Sequence, residues 1–265
     1  MTAYLAIVVA LYGLIIGSFI NALVWRLHEK KGIAHGERSE CPHCHHALAA
    51  KDLVPVLSWL WLRGKCRYCH KPISLQYPAV ELITAGLFAL SYLRLAPSGT
   101  AWFGFIIWLG VASAFVALAV YDLRWLILPD KIVLPLVAFV AAGLMIQAAG
   151  FGLSWGTVAR HGFAALALGA AFYILASLAG GKLMGGGDVK LGTLMGLILG
   201  LRATLLATLL AFNLAALVGI ALIVMHLRKR TDYIAFGPFL IIGTIIAYLY
   251  GQGIIEWYLR LNGLQ

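Results

Sequence analysis

The chain has 265 residues, of which 62% are hydrophobic and only 11% are charged. A soluble domain carries roughly 25% charged residues, so this composition excludes a water-soluble globular protein and indicates a polytopic membrane protein. The net charge of +10 first suggests a nucleic-acid partner. Cytoplasmic loops of membrane proteins are also rich in lysine and arginine, so the distribution of the charges decides between the two explanations.

The hydrophobic runs predict an all-α membrane protein with about eight transmembrane helices. The predicted spans are approximately 3–25, 79–96, 101–121, 132–150, 158–179, 189–201, 203–226 and 235–259. The sixth span has about a dozen residues, whereas a bilayer requires about 20. Short helices at membrane depth occur where they face protein or a water-filled cavity, so we expect an interior site near the sixth span.

The basic residues fix the predicted orientation. With the N terminus outside, sixteen of the twenty lysines and arginines fall in cytoplasmic segments. The four exceptions are Arg94, Arg160, Arg202 and Arg260. This asymmetry follows the positive-inside rule, places both termini outside, and explains the basic excess without nucleic acid.

Three segments follow from this layout. Residues 1–25 form the first transmembrane helix, residues 26–78 a polar and basic cytoplasmic insert, and residues 79–265 the transmembrane core. The insert is too small to bury a large hydrophobic core. We therefore expect another source of stability within it.

All four cysteines of the chain lie in the insert, in the motifs CPHC (Cys41, Cys44) and CRYC (Cys66, Cys69). Two CxxC turns can present four thiolates to one tetrahedral Zn²⁺ with no open position, which predicts a structural zinc site. A pair of disulfides is the alternative, but a reducing cytoplasm disfavours it. A further alternative is that a nearby histidine replaces one thiolate; the candidates are His43, His45, His46 and His70.

Three carboxylates, Asp122, Asp130 and Asp188, lie at or within membrane depth, where an ionisable residue is a functional candidate by default. Asp130 follows Pro129 at the start of a predicted helix, where aspartate is a common cap. Asp122 lies at a helix C terminus, which disfavours an anion, so capping does not explain it. Glu81 opens the second span, where an acid suits the helix N terminus.

Asp188 lies in the glycine-rich stretch GGKLMGGGDVKLG, residues 180–192, at the start of the short sixth span. One explanation of this acid is helix capping. The other is chemistry, because glycines allow a substrate backbone to approach closely. We assign Gly185, Gly187 and Lys190 to an active-site loop, and we expect the glycines to carry the acid towards its partner.

Two carboxylates at one depth predict an aspartyl dyad, in which one acid activates water and the other donates a proton to the peptide carbonyl. Asp188 at a helix N terminus is expected to ionise more readily, while Asp122 at a C terminus keeps its proton. On this interpretation Asp188 is the resting base.

Several motifs, taken together and in order, resemble those of the bacterial type IV prepilin peptidases along nearly the whole chain. They are GSFINALVWRL, the two CxxC knuckles, PVLSWLWLRGKCRYC, ISLQYPAVEL, YDLRWLILPD, GGGDVKLG and FGPFL. Gly185, Gly187 and Asp188 form the GxGD pattern of intramembrane aspartic peptidases, downstream of a first membrane aspartate.

The resemblance implies that Asp122 and Asp188 are the catalytic pair of an intramembrane aspartic peptidase. Such enzymes remove the basic leader of type IV prepilin or pseudopilin precursors after a glycine, at the cytoplasmic face of the bacterial inner membrane. Many bacterial members also methylate the new N terminus with S-adenosylmethionine, and a zinc-knuckled insert is typical of them. The implied cofactors are structural zinc and this methyl donor, and the implied surroundings are membrane lipid.

A second hypothesis is a proton- or metal-coupled membrane carrier with a zinc-stabilised loop, because carriers also keep acids within the membrane. Carriers are often built with a pseudo-symmetric pair of broken helices, and the sequence shows no such pair. Cleavage of a pilin precursor in detergent separates the two hypotheses.

Overall fold

The computed structural model of the chain describes residues 2–31, 39–178, 184–229 and 233–263. This part of the chain has no β-strand, only two isolated bridges, and it confirms the predicted all-α fold. The beginning of the glycine-rich stretch, residues 180–183, lies outside the described residues. A short 3-10 turn covers Ala50–Asp52, and the helices are α1 (Thr2–His28), α2 (Leu57–Trp61), α3 (Gln76–Leu95), α4 (Ala101–Trp125), α5 (Asp130–Gly150), α6 (Trp155–Leu178), α7 (Gly186–Val224) and α8 (Gly237–Leu261).

Seven of the described helices, α1 and α3 to α8, are long and apolar enough to cross a membrane. The membrane character and the predicted fold with about eight transmembrane helices are therefore confirmed, although the described helices form seven continuous elements. The difference lies in α7, whose 39 residues contain both the sixth and the seventh predicted spans. Within it, Gly200 has non-helical dihedral angles, with φ 68° and ψ 172°.

The chain folds back at Gly200. Thr204 Oγ1 lies 3.4 Å from the carbonyl oxygen of Met195 and 2.6 Å from that of Gly200. In a continuous helix, residues nine positions apart are separated by about 13.5 Å along the axis. The contact between Thr204 and Met195 therefore requires a reversal, which falls where the sequence separates the sixth and seventh spans.

The chain forms two compact units. The first comprises Met1–Ser98 and Ala112–Val120, and the second comprises Gly99–Val111 and Tyr121–Gln265, so that α4 contributes to both. The functional division at residues 25 and 78 remains a prediction.

In the first unit, α1 and α3 pack with their backbones nearly in contact. A Cβ atom at Gly13 would lie 2.6 Å from Ala85 Cα, and one at Gly17 would lie 2.6 Å from Glu81 Cα. Glycines four residues apart permit this close approach of membrane helices. The GxxxG spacing of Gly13 and Gly17 is the signal of this contact in the sequence.

In the second unit, small residues again bring helices together. A Cβ atom at Gly196, in the first segment of α7, would lie 2.5 Å from the backbone of Ala164 in α6. In the second segment of α7, Ala207 meets Gly243 of α8. The first segment is only about 21 Å long, and α6 shelters it, as expected of a helix too short to face lipid alone.

Candidate active site and cysteine cluster

Asp122 lies in the last turn of α4 and is 5% exposed. Leu126, directly after the helix, adopts a left-handed conformation with φ 55°, and its N–H donates to the Asp122 carbonyl at 2.8 Å. Such a conformation is uncommon for leucine. The helix therefore ends just beyond the acid, and the chain turns towards α5.

The Asp122 carboxyl is held by the start of α8. Its Oδ2 accepts a hydrogen bond from the Gly237 N–H at 3.1 Å. A Cβ atom at residue 237 would lie 2.6 Å from this oxygen, so a side chain there would displace the carboxyl. Gly237 is a site residue beyond those predicted, and the FGPFL motif that contains it is its signal in the sequence.

Asp188 is the third residue of α7. Its Oδ2 accepts from the Gly185 N–H at 3.3 Å, and its own N–H donates to the Gly185 carbonyl at 3.1 Å. These reciprocal bonds are typical of a helix start. Gly185 caps the helix, but Gly187 and Lys190 lie within it. The predicted loop conformation is therefore wrong for Gly187 and Lys190, while the role of these residues at the active site stays a prediction.

Asp122 and Asp188, 66 residues apart in the chain, lie close enough for their carboxylates to interact electrostatically. The buried side chain of Leu128 lies next to Gly187, beside Asp188, and next to Gly237, beside Asp122. A Cβ atom at Gly187 would lie 2.9 Å from Leu128 Cβ, and one at Gly237 would lie 3.4 Å from Leu128 Cδ2. Each acid accepts a backbone N–H at the start of a helix. The predicted positions are confirmed, with Asp188 at a helix N terminus and Asp122 at a C terminus, but Asp122 also meets the start of α8. Which acid is the resting base stays a prediction.

Asp130 pairs with a lysine of α7 rather than with the start of its own helix. It is the first residue of α5, and its side chain makes no capping hydrogen bond. Instead, Asp130 Oδ1 accepts from Lys190 Nζ at 2.5 Å. The capping prediction is wrong, and this ion pair ties the start of α5 to the first turns of α7.

The four cysteine Sγ atoms all lie within 4.8 Å of one another. Those of Cys41 and Cys69 are 3.9 Å apart. Four thiolates at about 2.3 Å from a tetrahedral Zn²⁺ are ~3.8 Å from each other, whereas a disulfide requires about 2.05 Å. All four cysteines are free, so the disulfide alternative is wrong and the group is able to hold a metal ion.

Two further features of the cluster suit a metal. Within the described part of the chain, none of the four nearby histidines belongs to the group of potential ligands. Burial opposes ionisation of the Cys41 thiol, but hydrogen bonds from the backbone N–H groups of His43 and Cys44 lower its pKa to about 7. The thiolate is the form that binds metal, so Cys41 is the thiol of the cluster that ionises readily. The Lys71 N–H lowers the pKa of Cys69, but burial and hydrogen bonding to the other three thiols raise this pKa to about 11.

Asp52 braces the second CxxC turn. Its carboxylate accepts from Arg67 Nε at 2.7 Å, from the Tyr68 hydroxyl at 3.0 Å and from the Ala49 N–H at 3.1 Å. Burial raises the pKa of Asp52, but these donors outweigh it and hold the pKa below its usual range. The ionised carboxylate therefore stabilises the fold around the cysteines.

Glu81 is buried in the second turn of α3, with 6% of its surface exposed. Its Oε2 accepts from the Val56 N–H at 2.7 Å. Val56 has φ 61° and ψ −49°, an unfavourable conformation for a β-branched residue. The helix-terminus explanation of Glu81 is therefore wrong: this carboxyl anchors the insert to α3.

The fold and the site thus define a polytopic helical membrane protein with two paired aspartates and a four-cysteine cluster. Two family descriptions match the chain: "Bacterial Peptidase A24 N-terminal domain" at residues 11–95 and "Type IV leader peptidase family" at residues 109–220. The chain belongs to the type IV leader peptidase family.

Similar proteins cover nearly the whole chain. The prepilin leader peptidase/N-methyltransferase of Aeromonas hydrophila is 36% identical, over 95% of this chain and 92% of that protein. The protein of the same name from Bacillus subtilis (strain 168) is 33% identical, over 95% of this chain and 96% of that protein. No solved structure matches the chain. Nothing in these comparisons supports a carrier.

Proposed function

We propose that this chain is a prepilin leader peptidase in which Asp122 and Asp188 form the catalytic dyad. The observation that carries the proposal is the pairing of these two acids, in a chain of the leader peptidase family. The backbone N–H of Gly237 orients one carboxyl, and that of Gly185 orients the other. Such fixed geometry is what acid–base catalysis requires of its groups.

In the proposed reaction, one carboxylate takes a proton from water, and the resulting nucleophile attacks the carbonyl carbon of the scissile peptide. The other carboxyl, protonated, donates its proton to the carbonyl oxygen. The tetrahedral intermediate then collapses, the C–N bond breaks, and the leaving amine takes up a proton. Two adjacent carboxyls suit this division of roles, because ionisation of one disfavours ionisation of the other.

The proposed substrates are type IV prepilin or pseudopilin precursors, cut after the glycine that ends their basic leader. We place the dyad at the cytoplasmic face of a bacterial inner membrane and both termini outside, because sixteen of twenty basic residues then face the cytoplasm. The functional division comprises the first helix (residues 1–25), the insert (26–78) and the core (79–265). The apolar segment of the substrate lies in the surrounding lipid.

We further propose that the four cysteines hold one structural zinc ion, which would stabilise the insert and take no part in peptide cleavage, since a Cys₄ shell leaves no open position. N-methylation with S-adenosylmethionine is the proposed second activity, supported by the names of the relatives. A cavity lined by Arg160 and Arg202 does not suit this donor, because its sulfonium group is cationic. No residue is assigned to methyl transfer.

The test uses purified, zinc-loaded protein in detergent and a synthetic pilin precursor, with the products identified by mass spectrometry. The proposal predicts one cut after the leader glycine and, with S-adenosylmethionine, a product heavier by one methyl group. A matched precursor with valine in place of that glycine should stay intact. An uncut wild-type precursor would contradict the peptidase assignment, whereas cleavage without methylation would remove only the second activity.

A further inference from the structure

A cavity of about 660 Å³ lies at the opposite end of the helices from Asp188. The start of α6 and the turn at Gly200 form its walls. Gly200 is about 18 Å along the first segment of α7 from Asp188, so the cavity is separate from the dyad. Its volume is within the range of sites that bind small molecules, about 300–1,000 Å³.

One side of the cavity is formed by His161, which packs against the turn at Gly200. His161 Nδ1 lies 2.9 Å from the Leu197 carbonyl oxygen, and a Cβ atom at Gly200 would lie 3.2 Å from His161 Nε2. The φ of 68° at Gly200 also favours glycine. This packing of the imidazole against the turn brings Arg202, two residues later, to the same cavity as Arg160.

The cavity carries positive charge without a compensating acid. No carboxylate is among its lining residues. Arg160 donates to Thr157 Oγ1 at 2.9 Å, which leaves most of its five N–H donors available. Arg202 has no hydrogen-bonding or ionic partner in the part of the chain that the structure describes. An anion between the two guanidinium groups would relieve their mutual repulsion.

The other wall of the cavity is apolar and includes Phe163 and Leu201, both exposed. Arg160 and Arg202 are also two of the four basic residues that fall outside the predicted cytoplasmic segments. A free phosphate ion would use the arginines but not this apolar wall. A phospholipid would use both, since basic pockets between membrane helices suit anionic headgroups.

We propose that this cavity binds an anionic phospholipid, with its phosphate between Arg160 and Arg202 and its acyl chains along Phe163 and Leu201. Guanidinium groups bind phosphate through paired hydrogen bonds, which fits two arginines at one cavity. This site is independent of the proposed peptidase chemistry.

Native mass spectrometry of the detergent-purified protein tests the proposal with phosphatidylglycerol, phosphatidylcholine and inorganic phosphate as probes. The wild type should retain phosphatidylglycerol in preference to phosphatidylcholine. The Arg160→Gln/Arg202→Gln variant should lose about tenfold or more in affinity, because charged hydrogen bonds are removed. The Arg94→Gln/Arg260→Gln variant loses the same charge outside the cavity and should bind phosphatidylglycerol like the wild type.

Three results would overturn the proposal: equal retention of both lipids by the wild type, an equal loss in both double variants, or binding of inorganic phosphate as tight as that of phosphatidylglycerol. The comparison of lipids on the wild type needs no variant, so it decides the question even if a double variant fails to fold. Leader cleavage in lipid-free detergent by the Arg160→Gln/Arg202→Gln variant reports separately that its core is intact.

Discussion

Substitution of Gly187 by alanine should impair peptide cleavage through a steric contact rather than through a change in chemistry. The added Cβ would lie 2.9 Å from Leu128 Cβ and 3.2 Å from its Cδ1, whereas ordinary van der Waals contact begins at 3.4 Å. Leu128 is buried, with Gly237 close to it. Either the first turn of α7 shifts and moves Asp188, or Leu128 shifts towards the glycine that holds Asp122.

The shift required is at least about 0.5 Å, and a misplacement of about 1 Å can cost a hundredfold in rate. We therefore expect Gly187→Ala to lower kcat/KM for a pilin precursor by roughly ten- to a hundredfold. Gly186→Ala is the matched control, because no atom lies within 4 Å of its Cβ position. The measurement is precursor cleavage with both variants at equal folded concentration. Equal activity of the two variants would refute the steric argument.

Three further predictions concern the insert. Cys66→Ser should abolish zinc binding, as measured by metal analysis, and should lower the unfolding temperature of the insert. Most of the peptide-cleavage activity should remain. Retention of a full equivalent of zinc by this variant would contradict the prediction. Glu81→Ala leaves the half-buried Val56 N–H without its acceptor and should cost about 1–2 kcal/mol of unfolding free energy, whereas Glu29→Ala, at an exposed site, should cost little. Because the pKa of Asp52 is lower in the folded than in the unfolded state, its ionised carboxylate stabilises the folded protein. This stabilisation is fully present above the unfolded-state pKa, about 3.9, and is lost as the pH falls through the lower folded-state pKa. The stability difference between wild type and Asp52→Asn should therefore be constant from neutral pH to about pH 5 and shrink below about pH 4; a difference independent of pH would contradict this assignment.

Much of the fold follows from the sequence because a bilayer requires every backbone polar group to be satisfied within a helix. Long apolar runs therefore mark helices reliably: the run predicted as 132–150 corresponds to α5, Asp130–Gly150. The two CxxC turns likewise predict the cysteine cluster, since the chemistry of a metal shell fixes their form.

The sequence could not predict contacts that depend on packing between distant segments. Glycine-rich composition suggests a loop at Gly187, but contact with Leu128 and the bonds between Asp188 and Gly185 start the helix there, and tertiary contacts override weak helix propensity. The pairing of Asp130 with Lys190 joins residues 60 positions apart, which local spacing does not encode.

The proposed dyad is tested most directly by three near-isosteric variants in the precursor-cleavage assay: Asp122→Asn, Asp188→Asn and Asp130→Asn. An asparagine at position 122 still offers an oxygen to the Gly237 N–H, so the fold is expected to persist while the acid–base chemistry is removed. We expect Asp122→Asn and Asp188→Asn to show no cleavage and Asp130→Asn to retain it, because Asp130 only pairs with Lys190. Normal cleavage by Asp122→Asn or Asp188→Asn, or loss of cleavage in Asp130→Asn alone, would show that Asp122 and Asp188 are not the catalytic dyad.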